Sequence, residues 1–225
     1  MSTETAETTA PNPFIKREFV IYSALLVAVA AVGAVVVALM WWDARSWERD
    51  TSVAACERPA SKDYELTGPV PVKSWQSIGA SALPVTDFGP SRQDGGAPTC
   101  YERSPQGAAM AAVYVATLAS NGSTELVLEH LAADTPATQA ALAATDVERV
   151  PETPARPVAV AVRDYSVEDA EVTVVSDTGR GTYAQDFRLV WVDGDWRWDT
   201  PTESIPATLV EHLTGYNGLE AENRG

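Results

Sequence analysis

The chain has 225 residues, 45% of them hydrophobic and 21% charged, which excludes a wholly disordered protein. Acidic residues outnumber basic ones 31 to 16, for a formal charge of −15. A phosphate-binding surface needs a basic stripe, so nucleic acid is excluded as a partner.

Residues 1–18 are rich in Thr, Pro, Glu and Ala without apolar periodicity and read as a disordered cytoplasmic tail. Residues 19–42 follow as 24 residues without a charge. At about 1.5 Å per residue such a helix reaches roughly 36 Å, enough to cross a hydrocarbon core. Tyr22 at one end and Trp41, Trp42 and Trp47 at the other suit interfacial belts. The run is too long for a signal-peptide core. Val53-Ala54-Ala55-Cys56 resembles a lipobox, but charges at Asp43, Arg45, Glu48, Arg49 and Asp50 separate it from the apolar run.

Lys16 and Arg17 on one side balance Arg45 and Arg49 on the other, so flanking charge does not orient the span. The cysteines do. Cys56 and Cys100 both lie beyond the span, and an even pair suits an oxidising compartment. The expected protein is therefore a single-pass cell-membrane protein, N-terminus cytoplasmic and C-terminal domain extracytoplasmic. A Cys56–Cys100 disulfide would close a 45-residue loop, worth roughly 4 kcal/mol by chain entropy.

Residues 43–103 read as a juxtamembrane segment and an extended arm. Residues 57–104 hold six Pro and five Gly, with apolar anchors at Val70, Val72, Trp75, Ile78, Leu83, Val85 and Phe88. Ser104-Pro105 opens a helix. Gly107 to Ala119 is apolar nearly all round and too short to span, so it is a buried helix ended by Asn121-Gly122. Ser123 caps a second helix, TELVLEHLAAD, and Thr135-Pro136 starts a third. Asn121-Gly122-Ser123 is also a formal glycosylation sequon, a coincidence of the helix end.

The period then changes to two. Val158, Val160 and Val162 alternate, then Val172 and Val174, then Phe187, Leu189 and Trp191. Asp193-Gly194 marks a type I′ hairpin turn. Ile205 to Leu213 suggests a short last helix, and residues 216–225 a tail. The expected fold is α+β, with helices packed on one face of a curved antiparallel sheet and the domain spanning residues 104–215.

The helical start and the closing VWVDGDWRWD resemble the NTF2-like (cystatin-like) superfamily. Leu83-Pro84, Gly89-Pro90 and Ser104-Pro105-Gln106-Gly107-Ala108 are similar to a pattern shared by uncharacterised actinobacterial single-span proteins with an extracytoplasmic domain of unknown function. The likeness covers about residues 65–215. It implies a place in integrative and conjugative elements. By architecture alone it implies kinship with NTF2-like scaffold subunits of conjugation and type IV secretion systems.

No zinc spacing, GxSxG, HExxH or Walker loop is present, and His130 and His212 sit on expected amphipathic helices. The expectation is no enzyme, no cofactor and no metal. The enzyme alternative, an isomerase or dehydratase, would draw on Asp164, Tyr165, Tyr183 and Asp186; strict alternation turns Asp164 inward and Tyr165 outward. A small-ligand or lipid-binding ectodomain is the other alternative. The favoured function is a scaffold or interaction subunit. Residues 43–225 carry 14 basic and 28 acidic residues, a net of −14, so contacts with membrane proteins or with itself fall to uncharged patches. Gly33 on the span and Trp191, Trp196 and Trp198 on the sheet are the candidates, with at least one of the last two in the core.

Overall fold

The computed structural model describes Cys56, residues 64–145 and residues 154–221. The chain divides into two units, residues 1–51 and 52–225, and the second holds every described residue. The apolar run 19–42 and Gly33 lie outside the described residues; among those described, no helix is long and apolar enough to cross a membrane.

The described fold is α+β, three helices packed on a curled mixed sheet. Five short strands come first: β1 (Val70–Val72), β2 (Ser74–Ile78), β3 (Ser81–Val85), β4 (Arg92–Asp94) and β5 (Ala97–Thr99). Helices α1 (Pro105–Ser120), α2 (Thr124–His130) and α3 (Pro136–Ala144) follow. Then come β6 (Arg156–Tyr165), β7 (Asp169–Asp177), β8 (Thr182–Val192), β9 (Asp195–Trp198), β10 (Thr208–Leu209) and β11 (Asn217–Ala221). The main sheet runs β1-β11-β6-β7-β8-β10, with β9 also on β8. All its pairings are antiparallel except β1 with β11, which is parallel, so the wholly antiparallel expectation is corrected.

Helix α1 forms the core because its Ala-rich sequence favours helix and carries no charge to solvate. Ser104 caps it, its hydroxyl accepting from Gly107 N at 3.0 Å, and Pro105 opens it. Met110, Val113, Tyr114 and Leu118 are wholly buried against the sheet. Each such aliphatic side chain contributes roughly 1.5–3 kcal/mol. Asn121 ends the helix. Its buried amide donates to Ser81 Oγ at 3.1 Å and Ala155 O at 3.0 Å and accepts from Ala155 N at 2.7 Å. It thereby holds the chain entering β6, and the sequon it opens is inaccessible in the fold.

Helix α2 stops at His130, short of the expected Asp134, because the next residues turn to the sheet. Trp198 N donates to Leu131 O and Ala133 N to Trp198 O, both at 2.8 Å. Strand β6 departs from strict alternation at two irregularities, between Pro157 and Ala159 and between Val162 and Asp164. Each shifts the facing by one residue. Val158 consequently packs with Ala159 and Val175 away from the helices, while Val160 and Val162 join the helix-side core. The second shift turns Tyr165 inward and leaves Asp164 exposed, the reverse of the expected pair.

Three boundaries move. The arm is part of the folded unit: Val70, Val72, Leu83 and Ala97 are buried, and Ile78 and Phe88 pack on the core. Residues 217–221 form β11, between β1 and β6, where a tail was expected. Residues 205–213 form no helix; Thr208 and Leu209 pair with Ala184 and Tyr183, and Val210 N donates to Thr182 O at 2.8 Å. Pro206 has no N–H to give a helix, and the sheet edge takes the donors that follow.

Two outcomes follow. A Cβ at Gly107 would overlap the Glu102 carbonyl oxygen, so Gly107→Ala should lower stability by about 2 kcal/mol or more in urea unfolding, against under ~1 kcal/mol for Gln106→Ala. Burial pushes the Tyr101 and Tyr114 hydroxyls far above the ordinary value of 10. The folded state thus holds these protons when the unfolded chain loses them. Stability contributed by the pair is intact below pH ~10 and is lost as pH rises beyond it. Absorbance at about 295 nm should show both tyrosines ionising only with unfolding.

Candidate interaction surface and its supporting core

The β8–β9 hairpin turns at Asp193-Gly194, both at positive φ (54° and 77°), as a type I′ turn requires. It closes on the pair Val192–Asp195. Asp195 is 1% exposed. Its Oδ2 accepts from Cys100 N and its Oδ1 from Tyr101 N, each at 2.9 Å, and Oδ1 also takes its own strand's Trp196 N at 3.0 Å. Cys100 stands at φ 67°, a left-handed conformation that a side chain disfavours. Successive N–H groups around such a residue converge on one anion, and Asp195 supplies it. Burial raises the Asp195 pKa, although Arg197 and the three N–H groups pull it down. Arg197 lies 4.0 Å from the carboxylate and donates to His130 O.

The clamp also positions the disulfide. Cys56 and Cys100 are bridged, with Cα atoms 5.1 Å apart. Past Tyr101, Glu102 O accepts from the Trp196 indole at 2.9 Å. Trp196, one of the expected contact residues, is therefore core, 1% exposed. Trp191 meets it edge-on at 5.2 Å, with the Arg103 guanidinium 5.0 Å above the Trp191 ring. Tyr165 and the exposed Tyr64 extend the cluster. Trp191 and Trp198 are half-buried and pack on the same core.

Two grooves flank β8. One, about 460 Å³, lies between α1, α2, α3 and residues 200–205; Ala116, Leu128, Ala141, Phe187, Trp198 and Ile205 line it. The indole N–H of Trp198 is buried without a partner. The other, about 440 Å³, is on the opposite face. There the hydroxyl of Thr173 accepts from Arg163 Nε at 3.0 Å and donates to Asp186 at 2.6 Å, and Arg163 stacks on Tyr216. The four residues weighed for acid–base chemistry do not converge. Asp164 is exposed, Tyr165 packs on the helix side, Tyr183 lies near Gly181, and Asp186 lines the polar groove. His130 packs against Gly95, and His212 is on an exposed stretch without helix. Among the described residues no group of three or more His, Cys, Asp or Glu could hold a metal ion.

A family model described as a domain of unknown function, DUF8175, matches residues 34–218, most of the chain. The chain belongs to the DUF8175 family. No curated protein and no solved structure matches it. The match takes in every strand of the DUF8175 fold from β1 to β10, the start of β11, and both cysteines, so the arm belongs to the family's unit.

Asp195 is the residue that sequence reasoning passed over. Its signal was present: aspartate is a poor strand residue, yet it opens a strand ahead of two tryptophans. Asp195→Ala should cost about 2–5 kcal/mol, because two N–H groups at Cys100 and Tyr101 lose their acceptor inside the core. Asp195→Asn should cost less, since one acceptor oxygen stays. Urea unfolding at neutral pH checks the order of the three proteins.

Proposed function

We propose that this chain is a membrane-anchored scaffold or interaction subunit, non-enzymatic, with an NTF2-like domain held outside the cell membrane by the span at 19–42. Its setting would be an envelope assembly of the conjugation or secretion kind. One observation carries the reading. Asp195, the only buried charged side chain among the described residues, is committed to backbone N–H groups. The interior is thus committed to holding shape, and the surface is what the fold offers. The Cys56–Cys100 bridge supports an oxidising compartment for the domain.

A second reading, a small-ligand or lipid-binding ectodomain, draws on the groove beside Trp198, whose lining is mostly apolar. Solvent extraction of the purified protein followed by mass spectrometry separates the two: a stoichiometric small molecule favours the second.

The first reading is tested in cells with photocrosslinkers at Gly33, Tyr64 and Trp191. Discrete protein adducts are expected from at least one position, and thiol labelling of single added cysteines should place the tail inside and the domain outside. A folded, inserted protein that gives no adduct at any position would overturn it.

A further inference from the structure

Strand β2 is the outer strand of a two-stranded hairpin with β3, and no described strand pairs with its other edge. The hairpin turns at Gly79-Ala80, with Gly79 at φ 55°, and closes on the pair Ile78–Ser81. A two-residue turn closes on a hydrogen-bonded pair. Ile78, Gln76 and Ser74 therefore direct their backbone groups to β3, while Trp75 and Ser77 direct theirs to the open side. Gln76 turns its side chain inward to Tyr114 Oη at 2.8 Å. Trp75 is 46% exposed and Ser77 is exposed beside it.

Folded proteins guard such an edge with lysine, proline, a bulge or a cover. Strand β2 has no lysine and no proline. Residues 74–86 carry no charge at all, within a segment 43–225 of net −14. The flanking charges, Lys73 and Asp87, pair with each other. In a strongly acidic domain this is an exposed strand edge where two copies approach without like charges meeting.

We propose that β2 is a self-association edge: two copies pair their β2 strands antiparallel about a two-fold axis at Gln76. Trp75 then lies opposite Ser77 of the second copy, and each such pair exchanges two N–H···O=C bonds, four in all. The large indole stands beside a small hydroxyl on the outward face. Gln76 meets Gln76 of the second copy as a non-hydrogen-bonded pair, Cα atoms about 4.5 Å apart. The contact is isologous and closes at two. A five-residue seam is weak alone, and anchoring in a shared membrane raises its effective concentration. The proposal rests on the reading of the domain as an interaction subunit and names its partner as a second copy.

The test uses the full-length chain in its own membranes. The two native cysteines are bridged to each other, so an added cysteine is the one free thiol. Mild oxidation of Gln76→Cys should give a covalent dimer. Ser74→Cys should give about tenfold less, because its counterpart sits four residue steps away, roughly 14 Å, beyond the ~7 Å reach of a disulfide. Adding Ser77→Pro to Gln76→Cys should abolish the dimer, since proline removes an outward N–H that the hairpin does not use. Trp75→Lys should do the same by supplying the missing guard, and an unchanged thermal midpoint shows that the fold is intact. Equal dimer from both single cysteines overturns the register and with it the proposal. No dimer, with a photocrosslinker at Trp75 capturing a different protein, overturns self-pairing and leaves the interaction reading standing. No adduct of any kind at position 75 or at the three positions tested above removes both.

Discussion

A single buried carboxylate sets the path of the chain. Asp195 reaches back 94 and 95 residues to hold the N–H groups of Tyr101 and Cys100. That grip fixes the left-handed turn at Cys100, which in turn fixes where the disulfide leaves the core. It also fixes the direction of the Glu102 carbonyl, against which both the Trp196 indole and Gly107 are fitted. Desolvating a carboxylate costs several kcal/mol, and hydrogen bonds to a charge return about 1.5–3 each. The near-balance means that Asp195 contributes more to the choice of one arrangement than to net stability. An apolar residue there would leave the N–H groups of Cys100, Tyr101 and Trp196 stranded.

The two faces of the sheet are used differently. The helix side is filled by α1 and the tryptophan cluster, so changes of volume there are felt as cavities or strain. The other side is only partly covered, by Val210 and Tyr216 over Ala159, Val175 and Ala184. Its uncovered part carries the Arg163–Thr173–Asp186 chain of hydrogen bonds, in which opposite charges are already matched within the domain. Neither face presents an unmatched buried charge among the described residues, and the large exposed side chains there, Tyr64 and Trp75 among them, lie at the periphery of the sheets.

Much of the fold was legible because its signals are local. Ser104-Pro105, the Ala-rich run and Asn121-Gly122 specify one helix by cap, propensity and stop, and Asp193-Gly194 specifies one turn by its positive φ. What escaped depends on distant partners. Residues 205–213 have the composition of a helix, but Thr208 and Leu209 pair with β8 and Val210 gives it its N–H. The arm's anchors at Val70, Val72 and Leu83 mark it as chain that packs on the domain, but do not show that its first strand joins the main sheet beside β11. The bulge at Arg163 reverses Asp164 and Tyr165, and no period of two can announce its own interruption. Of the candidate surface, Trp196 was legible as an aromatic at a hairpin and illegible as core, because its burial depends on the carbonyl of Glu102. Trp75 read as an anchor and is exposed, since only the paired hairpin shows which of its residues face out.

The parallel pairing of β1 with β11 joins Val70 to Leu219, nearly the two ends of the folded unit. Asn217 beside it reaches back still further, its amide donating to Leu66 O, and contacts so distant in sequence form slowly because the intervening loop must close first. A ribosome adding 5–20 residues per second needs about 8–30 s to reach the second strand after making the first. Through that interval β1 has no partner, and β6 lacks its neighbour on one side. The main sheet is thus complete only after β11 has been made. Strand β11, the last of the paired strands to be made, acts as the clasp that closes the main sheet on both of its neighbours.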